Sequence, residues 1–586
     1  MSVSTGDLRT RIYDDFRGVD FRGGEVSLHR SPDSLNMWKD YKVSDSIRTR
    51  PALQYFLTFG GNIHSISFYK DMVMVHAGKC LYTVNGEQKV MLREGLNDAK
   101  SNTFIYGEKW YFMDGIHYLC YDGTDLKEVE GFVPTTSIAR NPKGGGTMYQ
   151  AVNMLSPYRI NTFVANGVKV KKQPAEGPEY WAYEGDYDYY LDAKWEEGQA
   201  EVEVYINDRP IPNDDEEYPW LATTPGVVSF VKDHSPLAPL TEGQANVEIK
   251  FKVDVEGHKE MVTDCNLVQL FDNRVFISGN ANYPNAVWHS GLNDPTYFPD
   301  TSYMKEGLDE AKVKALVASN DKLWVFREPS QTNTSVFYHT PTTDESGQRV
   351  YPSRHSGVAT GCIGTAVNFN DDVVFFSARG MEGITSDIAL EQMLAHRSTL
   401  VDARMLAEQA YADMVLAEWE GYLLIFIGSH VYVADSRSVF NNNGHVEYDF
   451  FYWELENNVT AVAEKDGVLY IGATDSVYVL SDSKDDEQVV CYWVTTKDRF
   501  GEANKSKTTN KKGCVVRAEG DLAVYVKVDD GDFELVNEQE GVTDRFNCRI
   551  KKKKWSEIQL KIQSASEKGF SLDSATLEAY VGGYLK

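Results

Sequence analysis

The chain lacks what would let it cross a membrane, staple itself with disulfides or grip nucleic acid through phosphates. No run of about 18 apolar residues occurs, which argues against a membrane-spanning helix. The first residues, MSVSTGDLRTRIYDD, hold no hydrophobic signal core. The expectation is a protein made in the cytoplasm and kept there, or in a particle assembled there. The seven cysteines (Cys80, Cys120, Cys265, Cys362, Cys491, Cys514 and Cys548) lie far apart, with no C-x-x-C pair. An odd, scattered set reads as reduced thiols, neither a disulfide frame nor a zinc site. Positive charge is short as well: 59 Lys and Arg face 87 Asp and Glu, a net charge of −28. Phosphate contacts need the opposite sign, so a sequence-reading DNA binder is disfavoured.

Catalytic fingerprints are also missing. There is no Walker A loop, no G-x-S-x-G elbow, no H-E-x-x-H and no dinucleotide-binding glycine pattern. The twelve histidines are dispersed, and His289 and His355 read as ordinary loop residues. The acidic run from Asp214 to Glu217 reads as a solvated loop before a calcium site. The stretch from Asp529 to Asp532 looks like an EF-hand fragment, but the remaining ligand spacing is absent and it reads as a turn. Enzymatic propellers converge carboxylates and arginines on a central channel, and no spacing here singles any out. The expectation is no enzyme, no catalytic or cofactor-binding residue, no metal and no cofactor.

What is present is globular and repetitive. Hydrophobic residues at 42% and aromatics at 12% exclude general disorder, and 586 residues suffice for about three or four domains. A unit recurs: an acidic turn, four to six apolar or aromatic residues, a gap, then a second apolar stretch. Its acidic markers fall at Asp71, Glu108, Asp272, Asp321, Asp371, Glu420 and Asp466. The last five are 49, 50, 49 and 46 residues apart and the first two 37 apart. Propeller blades of four strands need about 40–50 residues each. Seven blades are counted on this basis. Asn-Gly, Asp-Gly and Gly-Ser turns between the runs are hairpin signals.

From Glu108 to Asp272 is 164 residues, about 115–120 more than one blade period. That surplus is an inserted domain, and period-two alternation in 200–206 and 245–253 makes it β. After residue 486 other β runs (524–528, 558–562 and 575–581) indicate a C-terminal sandwich. A helix is predicted from about Ile388 to Gln409, rich in Ala, Leu, Glu and Met. The fold class is thus all-β: a β-propeller hub with an inserted β-domain and a C-terminal β-sandwich. Its domains are an arm at 1–55, first blades at 56–140, the insert at 141–264, further blades at 265–485 and the sandwich at 486–586. Two basic stretches, KSKTTNKK from Lys505 and RIKKKK from Arg549, fall in the last of these. They read as a lysine-protected sheet edge, or as a docking face (Lys551, Lys552, Lys553 and Lys554) for an acidic neighbour or light contact with nucleic acid.

The segment Phe16-Arg-Gly-Val-Asp20, the run Ser31-Pro32-Asp33 leading to Asn36, Met37 and Trp38, and then Arg48, Arg50 and Pro51 resemble the opening of a family of tailed-bacteriophage virion proteins. That opening has the form S-P-D-x-x-N-M followed by R-x-R-P. The stretch around Trp288, with Asn282 to Asn285, Ser290 to Asp294 and Pro295, and Tyr297, Phe298 and Pro299, resembles the family's central blade. The final Gly582-Gly-Tyr584 also fits. The family is the packaged-DNA stabilisation, or tail nozzle (tail tubular), proteins of short-tailed phages. The resemblance runs from about residue 14 to the C-terminus.

It implies a homo-oligomeric ring, usually hexameric, in the virion tail or head–tail junction. The ring would continue the portal–adaptor channel, meet portal, adaptor and other tail proteins, retain packaged double-stranded DNA without reading its sequence, and let it exit on infection. Six copies at −28 each would carry about −168, a wall along which DNA slides. Two alternatives stand beside it. One is a head–tail completion or baseplate-hub protein of a longer-tailed phage. The other is a propeller that binds or hydrolyses glycans for host attachment. The aromatic stretch 273–299 is then a structural connection, with Trp288 and Phe298 packing between blades.

Overall fold

The computed structural model describes residues 6–584 except 44–45, 87, 134, 140–146, 149–151, 168, 174–179, 185–187, 192–200, 232–233, 240–244, 255–257, 332–333, 346, 387–391, 443–444, 482–487 and 566–568. The chain separates into two compact units, one of residues 1–103 with 306–586 and one of residues 104–305.

The first unit holds five four-stranded antiparallel sheets, whose opening strands are Ile63–Tyr69, Val313–Ser319, Ala366–Phe369, Val415–Trp419 and Val459–Lys465. The second holds two more, opening at Asn102–Tyr106 and Leu267–Phe271. In six of the seven the strands are hydrogen-bonded in chain order. The sheet that opens at Val459 takes its fourth strand from Ala52–Thr58, which pairs with Ser476–Ser481 and so ties the two ends of the repeat together. These sheets make the fold a β-propeller hub with an inserted β-domain and a C-terminal β-sandwich.

The backbone explains why an acidic marker recurs. In all seven sheets two residues join the first strand to the second. Five of these turns have positive φ at both residues: Gly107-Glu108, Asp272-Asn273, Asn370-Asp371, Glu420-Gly421 and Asp466-Gly467. Lys70 and Asn320 supply the positive φ in the other two. Such turns match the right-handed strand twist and favour Asn, Asp and Gly, whose small or locally hydrogen-bonding side chains tolerate the left-handed region. The apolar run after each marker is the second strand, flanked on both sides within its sheet. It is buried almost throughout in Arg274–Ser278, Asp372–Ser377 and Tyr422–Ile427. A strand covered on both faces loses its alternation, as these continuous apolar runs do.

In the second unit, Tyr158–Ala165, Val247–Asp254 and Val202–Ile206 lie side by side in a six-stranded sheet. Val204, Ile206, Ile249 and Phe251 are buried on its inner face with Val228 and Phe230 of a three-stranded sheet. Both alternating runs are therefore strands that pair with each other.

The C-terminal sandwich is built on one 24-residue strand, Lys505–Val528. Its first part pairs with Ser571–Tyr584 and its last part with Ile558–Ser564. The chain's own beginning completes this domain: Asp7–Tyr13 pairs with Ser571–Tyr584, and Ser34–Leu35 with Cys491–Val494.

The helix expected from Ile388 to Gln409 does not form. Residues 387–391 lie outside the described residues, Gln392–His396 is the fourth strand of its sheet, and only Asp402–Met405 is a helical turn. The Ala, Leu and Met content favours a helix locally, but pairing with Gly380–Ser386 overrides that modest preference. No helix among the described residues is long and apolar enough to cross a membrane.

Candidate functional site

The motif residues near the N-terminus converge on one buried joint. Ser31 is fully buried; its hydroxyl donates to the Val494 carbonyl at 2.7 Å, and its backbone pairs with Gly18 and Asp20. Pro32 is half-buried beside it, and exposed Asp33 accepts from the Tyr492 hydroxyl at 3.1 Å. Asn36 sits at φ 54° and is the centre of the joint. Its amide donates to the Val490 carbonyl at 2.9 Å, while its side-chain oxygen accepts from Arg50 Nε at 3.1 Å and the Glu454 amide at 2.9 Å. Buried Arg50 also donates to the Pro51 and Glu454 carbonyls. Trp38 packs against Trp419, Tyr422 and Trp453 with ring centroids 5.0–6.1 Å apart. Arg48 is half-buried and pairs with Asp40 at 3.0 Å. The arm is thereby sewn between the sheet strand His445–Glu454 and the C-terminal domain.

The second motif is a joint inside the other unit. Trp288 and Phe298 are buried with Tyr111 and Tyr118 of one four-stranded sheet and Val275 and Ile277 of the next. The Tyr118 hydroxyl donates to the Pro295 carbonyl at 2.9 Å. Asp294 closes its own turn by accepting from the Thr296 amide and hydroxyl at 2.8 and 2.7 Å. Asn153, at the edge of the inserted region, accepts from the Phe298 amide at 2.9 Å and donates to the Thr296 carbonyl at 2.8 Å. His289 is half-buried with its ring nitrogen 2.9 Å from the Ser290 carbonyl. The side chains of Asn153, His289 and Asp294 are thus engaged with the chain's own backbone.

The two basic stretches, 37 residues apart at Lys512 and Arg549, are neighbours in space: Thr508 pairs with Lys553 and Lys507 with Trp555. Lys507 is fully buried and donates to the carbonyls of Glu502, Lys505 and Ser556; burial lowers its pKa. Its amine is engaged with the fold's own backbone. Lys552 pairs with Glu534 at 2.7 Å. Exposed Arg545, Arg549, Lys551, Lys553 and Lys554 follow one another along the segment that holds the short strands Arg545–Cys548 and Lys553–Trp555, with Arg517 directly opposite Arg545. Like charges opposed across strands are destabilising, so the Arg517–Arg545 pair marks a basic face in an acidic chain. Sequence alone showed the lysines but not Arg517 and Arg545, which join them only through the register.

Two further clusters left no mark in the sequence. Beside the strands opening at Ile63 and Val459 lies a cleft of about 350 Å³ lined by Asn62, His64, Lys100, Asn458 and Thr460. His64 pairs there with Asp98 at 2.6 Å and Lys100 Nζ donates to the Asp413 carbonyl at 3.1 Å. Elsewhere His396 stands between Asp402 at 2.6 Å and Glu382 at 3.5 Å. Burial opposes its charge, but the hydrogen bonds to Asp402 and Glu382 win and raise its pKa to about 10. The carboxylates bind opposite nitrogens of the ring, so they hold an imidazolium and do not chelate. Among the described residues no group of three or more His, Cys, Asp or Glu is arranged to hold a metal.

No family model and no curated protein matches the chain. Among solved structures, BamB from Moraxella catarrhalis aligns at 8% identity and a TM-score of 0.32, covering 76% of this chain and 92% of that one. Hsv2 from Kluyveromyces lactis aligns at 8% identity and 0.24, covering 67% and 98%. An exo-β-1,3-galactanase from Phanerochaete chrysosporium aligns at 10% identity and 0.21, covering 53% and 94%. Similarity at this level carries no functional inference.

Proposed function

We propose that the chain is a structural virion protein of a tailed bacteriophage, a nozzle or stabilisation ring that continues the portal–adaptor channel, retains packaged DNA and releases it on infection. The observation that supports this reading is the convergence of Ser31, Asn36, Trp38, Arg50 and Pro51 on one buried joint between hub and C-terminal domain. A motif shared by an architectural family is expected to be spent on architecture, as these buried residues are. The net charge of −28 suits a wall past which DNA slides. The basic run from Arg545 to Lys554 suits docking against the acidic flank of a neighbouring subunit. The protein turns nothing over in this reading.

Negative-stain microscopy of the purified protein tests it. The expected image is a six-fold ring with a central hole, and particles lacking the protein should lose their DNA. A monomer that binds or cleaves glycans, or particles that keep their genomes without it, would overturn the reading in favour of host attachment.

A further inference from the structure

We infer that Cys514 and Cys548 form a modification site, a thiol pair that closes into a disulfide when the chain meets an oxidising thiol–disulfide couple. The two residues stand directly opposite each other where Lys505–Val528 pairs with Arg545–Cys548. Opposed residues of an antiparallel pair have Cα atoms about 4.5–5.5 Å apart, within the span of about 4.4–6.8 Å that a disulfide bridges. Opposed residues also project to the same face, and here it is the inner one: both thiols are buried with Val516, Phe546 and Leu577. No other two cysteines are opposed in any strand register among the described residues. The inference does not depend on the virion reading.

The chemistry follows from the contact. Standing opposite one another, the two thiols titrate together, with the Cys514 pKa well up and that of Cys548 down. Cys548 ends the shorter of the two strands, so it is the first to meet a disulfide and the first nucleophile. Among the described residues Arg545–Cys548 is a four-residue strand that pairs only with the long strand, so local opening exposes it. Its thiolate attacks one sulfur of glutathione disulfide; that S–S bond breaks and one glutathione leaves as a thiol after taking up a proton. Cys514 then gives up its proton and attacks the Cys548 sulfur of the mixed disulfide, expelling the second glutathione. Two protein thiols are oxidised and one glutathione disulfide is reduced to two thiols. A reducing cytoplasm keeps the pair open and an oxidising exterior closes it. The closed bridge fastens to the long strand the same edge run that carries Arg545, Arg549, Lys551 and Lys553.

The full-length protein is incubated with glutathione disulfide, denatured, and its free thiols titrated, followed by intact-mass measurement and non-reducing peptide mapping. Five of the seven thiols should remain, the mass should fall by about 2 Da, and the map should join the two peptides. Dithiothreitol should restore all seven thiols. Cys548→Ser should keep its six remaining thiols under the same treatment. Seven titratable thiols after oxidation, or losses that map to the part-exposed Cys80 and Cys120, would overturn the assignment. The map is read on the unsubstituted protein, so it holds whether or not the variant folds.

Discussion

Asn36→Ala is the sharpest probe of the arm joint. The substitution removes three hydrogen bonds: to the Val490 carbonyl, from Arg50 Nε and from the Glu454 amide. At about 1 kcal/mol net for each, that loss is about 3 kcal/mol. Because the joint is buried, the guanidinium of Arg50 and the Glu454 N–H also lose an acceptor, which pushes the cost towards the upper end of the range for buried polar groups. Alanine must also hold the positive φ of 54° found at Asn36, which adds about 1 kcal/mol. The sum is about 4–5 kcal/mol. Asn36→Gly separates the terms, since glycine takes that φ freely but restores no hydrogen bond; it should fall about 1 kcal/mol short of the alanine loss. Differential scanning calorimetry should show the transition containing the C-terminal domain fall sharply in both variants. Hydrogen exchange should lose protection at Glu454 and Arg50, whose amides are bonded at this joint. An alanine variant within 1 kcal/mol of the parent, with unchanged exchange, would sink the claim that this motif is a structural clasp.

Trp288→Ala should destabilise the second unit by about 3–5 kcal/mol, measured by denaturant unfolding, because a nearly fully buried indole leaves a large cavity; normal stability with lost binding activity would make that stretch a binding site and not a structural connection. His396 has its folded pKa raised to about 10 from an ordinary 6.5, so its contribution is complete below about 6.5 and is lost as pH rises through 10. The melting temperature of the parent should decline over that window and His396→Gln should flatten the decline; identical slopes would refute it. Asp309 behaves oppositely: the Ser330 hydroxyl and Arg327 guanidinium outweigh desolvation and hold its pKa at about 2, so its contribution is present above about 3.8 and lost as pH falls through 2. Acid titration of Asp309→Asn against the parent checks this. Lys551→Glu with Lys553→Glu should weaken ring assembly by sedimentation velocity, most at low salt, with the fold intact; unchanged assembly would leave these lysines as edge protection alone.

What the sequence disclosed and what it hid divide along one physical line. The blades were legible because local rules repeat: a turn that needs positive φ selects Asp, Asn or Gly, and a doubly covered strand selects an unbroken apolar run. Asp272 and Asp466 mark their turns for that reason alone. The helix expected from Ile388 failed where local preference met a stronger non-local term, the pairing of Gln392–His396 with its neighbour. The arm motif was recognisable as a string but not as a joint, because its partners Val490 and Glu454 lie more than 400 residues away. Long-range register is also what sets Arg517 against Arg545 and Cys514 against Cys548. Neither pair has a spacing that any local rule would flag, and both arise because a 24-residue strand is met by a chain that turns back on it. Architecture was written in short-range repetition, whereas each candidate for chemistry or docking depends on which strand edge the chain returns to. The basic face and the thiol pair therefore stand or fall on the pairing around Lys505–Val528, and that pairing is what the thiol map measures directly.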